Sequence, residues 1–326
     1  MLTPTIRMAA ISLLAIGSWA VMNRALAEYP ETPIRLIIPF ASGSATDTSA
    51  RIYAIALSKQ LGQQVVPDNR PGAGGAIGLE LLARALPNGY TIAYAGAGPL
   101  AINRSVSEKL PYDVERDFAP ISQAIDGPLI LAVSPTLPVK NVKELIVLAK
   151  AKPGQLSNGS AGTGTIGYLA GELFKIMTRT RIEHIPYKGG AQAAIDVIGG
   201  HVALIFDPIN GLSPFVRSGK LRGLAVTGLR RVNSFPELPT IAESGVPGYE
   251  VTTWGGLIAP ARVPAAIINR LSQEMRTAAN SQFVKDSYAP LGAEPRGSTP
   301  EEFAALIRRE TEKWADVVKR TDAKAK

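Results

Sequence analysis

The sequence predicts an α/β fold in two lobes with a hinged cleft between them, and three observations point to it. Short apolar segments alternate with amphipathic helical patterns through most of the 326 residues, as expected for strands linked through helices in mostly parallel sheets. The alternation runs once, restarts near residue 128, and turns strongly helical after "TTWGGLIAP". Two loops rich in glycine and hydroxyls, "ASGSATD" and "NGSAGTGTIG", each open a helix in a different cycle. Residues 28–127 and 254–326 are therefore expected to form one lobe, and residues 128–253 the other. A cleft between two such lobes is a common place for a ligand.

The first segment stands apart. It carries Arg7, an apolar run from Met8 to Met22, and the small-residue ending Ala25-Leu26-Ala27. That pattern predicts a secretory signal peptide over residues 1–27, cleaved before Glu28, with a run too short to span a bilayer. The mature chain is expected to be exported and soluble.

The strand candidate "IRLIIPF" comes next, then a helix over residues 46–61. Ala50, Tyr53, Ala54, Leu57 and Leu61 fall on one face at the 3.6-residue period, and Gly62 supplies a stop. "QQVVPDN", a helix over 76–86 and "TIAYAGA" complete the first cycle. The second opens with "PLILAVSP" at residues 128–135 and continues through "VKELIVLAKAKPG" and "LSNGS". Its next helix presents Ile166, Leu169, Ala170, Leu173, Phe174 and Met177 to the core. "IEHIPY", "AQAAIDVIGG", "VALIFD" and "LRGLAVTG" extend the alternation. Near the end, Thr299-Pro300-Glu301-Glu302 reads as a capping box with proline at the first helical position. The helix it opens should bury Phe303, Leu306, Ile307 and Trp314. The final "KRTDAKAK" reads as a frayed terminus.

Composition narrows the chemistry. There is no cysteine, which excludes disulfides, thiol catalysis and cysteine-ligated metals. The net charge of +8 could attract nucleic acid or small anions. The longest basic runs are pairs, Arg230-Arg231 and Arg308-Arg309, and dispersed charge of this kind favours small anionic ligands over nucleic acid.

Catalytic patterns are weak. The only histidines are His184, inside an apolar strand-like segment, and His201, at a turn; neither belongs to an HExxH motif. No G-x-S-x-G elbow occurs. Asp47 is expected to cap the first long helix. Asp207 ends "VALIFD" and either faces the cleft or starts a turn. What recurs instead is the glycine-rich turn: "ASGSATD", "RPGAGGAIG", "AGAGPLA" and "NGSAGTGTIG". The first lacks both the Gly-Lys-Ser/Thr ending of a P-loop and the spaced glycines of a dinucleotide fingerprint. Free amides at a helix start, helped by its dipole, hold anions. With no lysine or arginine inside either helix-opening loop, a carboxylate gripped by amides and hydroxyls is favoured over a polyphosphate.

At this point the chain resembles a known family. The blocks "YPETPIRLIIPFASGSATD", "NRPGAGGAIG", "LPNGYTIAYAGAGPLAIN", "NGSAGTGTIGYLAGELF", "IPYKGGAQAAIDVIGGHVALIFD", "SGKLRGLAVTGLRR", "PELPTIAESGVPGYE" and "WGGLIAPARVP" fall in the order of the tripartite tricarboxylate transporter substrate-binding (Bug) receptors of Gram-negative bacteria, across essentially all of the mature chain. The resemblance implies a two-lobe type II periplasmic binding protein fold that closes on a small organic carboxylate and delivers it to a tripartite tricarboxylate-type membrane permease. It implies a monomer with no cofactor, no metal and no catalytic residues. Ligand contacts are implied for Ser42, Gly43, Ser44, Ala45, Thr46 and Asp47 in the first loop. In the other lobe they are implied for Ser160, Ala161, Thr163, Gly164 and Thr165. Ala97 of the third loop, Tyr168, Tyr187 of "PYKGG" and Asp207 join them. Three departures stand out: Ser44 where relatives often keep a second glycine, Tyr168 where they often have histidine, and "ARVP" after "LIAP". Two other readings remain, a receptor that signals through a partner protein and an exported enzyme using Asp47 or Asp207 as a base.

Overall fold

The computed structural model describes residues 29–107 and 109–321. The expected signal peptide and the last residues of the basic tail lie outside them. In chain order the elements are β1 (Ile34–Ile38), α1 (Ala45–Leu61), β2 (Val65–Asn69), α2 (Ala76–Ala83), β3 (Thr91–Gly96), β4 (Phe118–Val133) and α3 (Val142–Ala151). Then come β5 (Ser157–Ser160), α4 (Ile166–Thr178), β6 (Glu183–Pro186), α5 (Gly190–Ile198), β7 (Leu204–Pro208), α6 (Ile209–Arg217) and β8 (Arg222–Val226). The chain closes with β9 (Thr252–Pro260), α7 (Ala265–Asn280), α8 (Gln282–Tyr288), β10 (Glu294–Pro295) and α9 (Pro300–Thr321). No helix among the described residues is long and apolar enough to cross a membrane.

The strands run in the order β2-β1-β3-β9-β4-β7-β5-β6, with β8 and β10 also paired to β4. Two lobes arise because β4 changes partners along its length. Phe118 to Pro128 pairs with β9, and Leu129 to Val133 pairs with β7 and β8. The strand expected to start near residue 128 thus begins at Phe118 and spans both lobes. Pro120, Gly127 and Pro128 look like breaks in sequence, yet two register shifts against β9 accommodate the irregular stretch.

The sheets are mixed rather than mostly parallel. β1 pairs in parallel with β2 and β3, and β5 with β6 and β7, but every pairing of β4 is antiparallel, as is β3 with β9. The reason is topological. β4 carries the chain out of the first lobe and β9 brings it back, so the two crossing strands must run in opposite directions. Their pairing of Asp126, Gly127 and Pro128 with Trp254, Thr253 and Thr252 lies where the lobes meet.

Local signals act as the periodicity predicts in most places. Ala50, Tyr53, Ala54, Leu57 and Leu61 of α1 are all buried, and Gly62 ends the helix in the left-handed conformation at φ 69°. In α9 the Thr299 amide donates to Glu302 at 2.9 Å, and the Glu302 amide donates back to the Thr299 hydroxyl at 3.2 Å. Phe303 and Trp314 are fully buried, each contributing about 1.5–3 kcal/mol. One face is misjudged in α4, where Met177 is exposed and Leu173 only half-buried. Thr178 takes the inward position instead, donating to the Phe174 carbonyl at 2.6 Å.

Candidate functional site

The lobes are shut against each other. The Ala41 amide donates to Lys188 O at 3.4 Å, and Asn210 Nδ2 donates to Ala45 O and Ser49 Oγ at 2.9 and 3.0 Å. They enclose a small cavity of about 60 Å³.

Helix starts from both lobes face this cavity. Ser44, Ala45 and Thr46 line it at the start of α1, and Thr165, Ile166 and Gly167 at the start of α4. Gly190 opens α5, and Asn210 sits in the first turn of α6. Among the described residues the amides of Ala45, Thr46, Ile166 and Gly167 have no backbone partner, as first-turn amides generally lack one. Ala97 and Ala161 add small walls, and among the described residues the lining contains no lysine, arginine or histidine. Free amides without cations suit a carboxylate.

Ser44, not Asp47, caps α1: its hydroxyl accepts from the Asp47 amide at 3.2 Å. The Asp47 carboxylate is buried and occupied, accepting from Gly43 N at 2.8 Å, Arg51 Nε at 2.9 Å and Asn69 Nδ2 at 2.9 Å. Burial pushes this carboxyl up, but Arg51, Gly43 and Asn69 together hold it below its ordinary value. It braces the loop and does not line the cavity. Ser42 is exposed and Gly43, at φ 79°, makes the turn; neither lines the cavity. Ser44→Ala should remove the cap and cost about 1 kcal/mol, read as a lower urea midpoint.

Other expected contacts are turned elsewhere. The Ser160 hydroxyl is buried, 2.7 Å from His184 Nε2, and accepts from the Gly162 amide at 3.1 Å. Burial, aided by Lys175, pushes His184 down to about 4, so its ring is neutral. Tyr168 packs against that ring at a tilt of 42°, with centroids 4.5 Å apart. Thr163 and Gly164 pack against the first lobe at Gly74 and Asn103. Tyr187 donates to Asp196 at 2.5 Å, and burial together with that carboxylate raises it to about 12. None of these five lines the cavity. The departure at Tyr168 therefore alters packing around His184, whereas the one at Ser44 lies on the wall.

Asp207 does line the cavity. It is only 5% exposed and makes no side-chain hydrogen bond among the described residues. Burial pushes it up to about 7. Phe40, Tyr94, Asn210 and Trp254 also line the cavity, and residue-type reasoning missed them. Trp254 had a signal, since it belongs to the returning strand. Asn210 had one too, lying three residues after Asp207.

A two-lobe α/β fold shut over an amide-lined cavity defines the class of solute-binding proteins. A family model described as "Tripartite tricarboxylate transporter family receptor" matches residues 49–322, and the chain belongs to that family. It is similar to Protein BugT of Bordetella pertussis, with 38% identity covering 91% of this chain and 92% of the relative. Among solved structures, Rpa4515 of R. palustris with adipate has a TM-score of 0.88 and 36% identity, covering 90% of this chain and 98% of that one. MatC of Rhodopseudomonas palustris with bound malate has a TM-score of 0.85 and 29% identity, covering 89% and 100%.

Proposed function

We propose that this chain is a periplasmic receptor that closes on a small organic carboxylate and delivers it to a tripartite tricarboxylate-type permease. The observation that carries this reading is the cavity itself: uncharged amides from helix starts of both lobes converge on it, with no cation in the lining among the described residues. Family membership and the adipate and malate of the two structural neighbours support the ligand class. The signal-peptide pattern supports export. The lobes are proposed as residues 28–127 with 254–326, and residues 128–253, in a monomer. Contacts are proposed at Ser44, Ala45, Thr46, Ala97, Ala161, Thr165 and Asp207.

A binding role rather than catalysis is supported by the state of the nearest nucleophile–base pair. Ser160 and His184 meet, but outside the cavity lining, and among the described residues no hydrogen bond orients the other ring nitrogen. The test is calorimetry and thermal unfolding of the mature protein, stripped of co-purified ligand by unfolding and refolding. A matching acid at a hundred times its Kd should stabilise the protein by about 2.7 kcal/mol, a shift of several degrees. A broad panel of mono-, di- and tricarboxylates that neither binds nor shifts the transition would reject the reading.

A further inference from the structure

The motif "RPGAGGAIG" takes no part in the cavity lining, yet four successive residues of it hold positive φ: Gly72 at 129°, Ala73 at 47°, Gly74 at 59° and Gly75 at 94°. An alanine in the left-handed region is strained, and such strain persists only where surrounding contacts enforce it.

Those contacts come from two directions. Within the first lobe, Asn103 is only 1% exposed, and its Nδ2 donates to Gly74 O at 3.2 Å. Asn103 directly follows the π-helical turn Gly98–Ile102, whose Pro99 carbonyl accepts from the Tyr112 hydroxyl at 2.7 Å. From the second lobe comes the loop ahead of α4. A Cβ on Gly74 would stand 2.5 Å from Thr163 O, and one on Gly162 would stand 3.5 Å from Gly74 N. One on Gly164 would collide with Asn103 Oδ1. Glycines on both sides therefore let backbone meet backbone across the lobes. The same loop leads into α4, where Ile166 and Gly167 line the cavity.

We propose that the turn at residues 72–75 is a receiver for the second lobe's loop at residues 162–164, and that Asn103 is the positioning residue that holds it in shape. The inference rests on the receptor reading above and concerns how capture is completed, not what is captured. Asn103 does not line the cavity. It acts through Gly74 O on one side and through the seat it gives Gly164 on the other. The fit between receiver and loop favours the closed state, so a ligand held at the start of α4 gains affinity from it.

The test is a double-mutant cycle by isothermal titration on mature protein stripped of co-purified ligand. The probe is the tightest binder for wild type in a panel of mono-, di- and tricarboxylates that includes hexanedioate and 2-hydroxybutanedioate. Asn103→Ala releases Gly74 O and should weaken binding by about five- to tenfold. Gly164→Ala sets a methyl group against Asn103 Oδ1 and should weaken it by at least about tenfold. Truncating Asn103 removes the atom that this methyl strikes. The double variant should therefore bind at least about fivefold more tightly than the product of the two single losses predicts. A residue that only supports its own lobe would give losses that multiply. Circular dichroism verifies folding, and Asn103→Ser takes the place of Asn103→Ala if the latter does not fold. Losses that multiply, or an Asn103→Ala affinity equal to wild type, overturn this proposal and leave the receptor reading standing. A panel with no binder for wild type rejects the receptor reading and this inference with it.

Discussion

Valine at Gly98 is expected to weaken ligand binding by about ten- to a hundredfold while leaving the unliganded protein folded. Gly98 follows β3 in the first lobe, and its missing side chain faces the second. A Cβ there would stand 3.0 Å from Gly164 O and 3.4 Å from Thr165 Cα. Both are backbone atoms beside a glycine held at φ 84°, so they cannot swing aside as a side-chain tip would. Overpacking of this kind costs about 1–3 kcal/mol, and here the cost falls only on the closed state. Because the ligand gains its contacts by closure, that cost appears as lost affinity. Titration calorimetry measures the loss, and small-angle scattering should show the variant remaining expanded at ligand concentrations that compact the wild type. On the opposite lip, a Cβ on Gly189 would meet Ala41 Cβ at 3.1 Å and Ala41 N at 3.4 Å; Gly189→Ala should cost less than Gly98→Val, since it adds one methyl group rather than a branched side chain. Unchanged affinity in Gly98→Val would mean that this contact is not part of ligand-induced closure.

The second large effect is on stability against pH, where two buried groups of the second lobe act with opposite sign. Burial raises Asp207 to about 7, so the folded protein keeps a proton that the unfolded chain releases near pH 4. Its contribution is fully present below pH 4 and is lost as pH rises through about 7, by at most about 1.4 kcal/mol per unit. His184 is lowered to about 4 by burial and Lys175. Its contribution is present above about pH 6.5 and is lost as pH falls towards 4. In the wild type these slopes oppose each other. Asp207→Asn should therefore gain on the wild type as pH rises from 4 to 7, by up to about 4 kcal/mol, with the gap level above pH 7. His184→Gln should flatten the acid side by about 2 kcal/mol, discounted because the ring is partly solvated. Urea unfolding of ligand-free protein across this range measures both. A pH-independent gap between Asp207→Asn and wild type would remove Asp207 from the account.

Several features were legible because they are short-range. The buried face of α1, its stop at Gly62 and the Thr299–Glu302 box depend on residues within a few positions of each other. The loops "ASGSATD" and "NGSAGTGTIG" do open helices, and residues of both line the cavity. Which side chains of those loops line the cavity is not written in the loops themselves. Asp47 was expected to cap and Ser160 to touch ligand, but Asp47 accepts from Asn69 and Ser160 from a loop amide while meeting His184, 24 residues on.

The sequence by itself determined the alternating elements and the two-lobe layout. Helical period, capping and glycine turns are local, and each is written in a handful of neighbouring residues. Only the tertiary structure decided that β4 spans both lobes, that the sheets are mixed, and that Asp207, Asn210 and Trp254 share one cavity. Those outcomes depend on the register between the two crossing strands and on closure of the lobes. Both are set by contacts between residues far apart in the chain, so no local pattern could carry them.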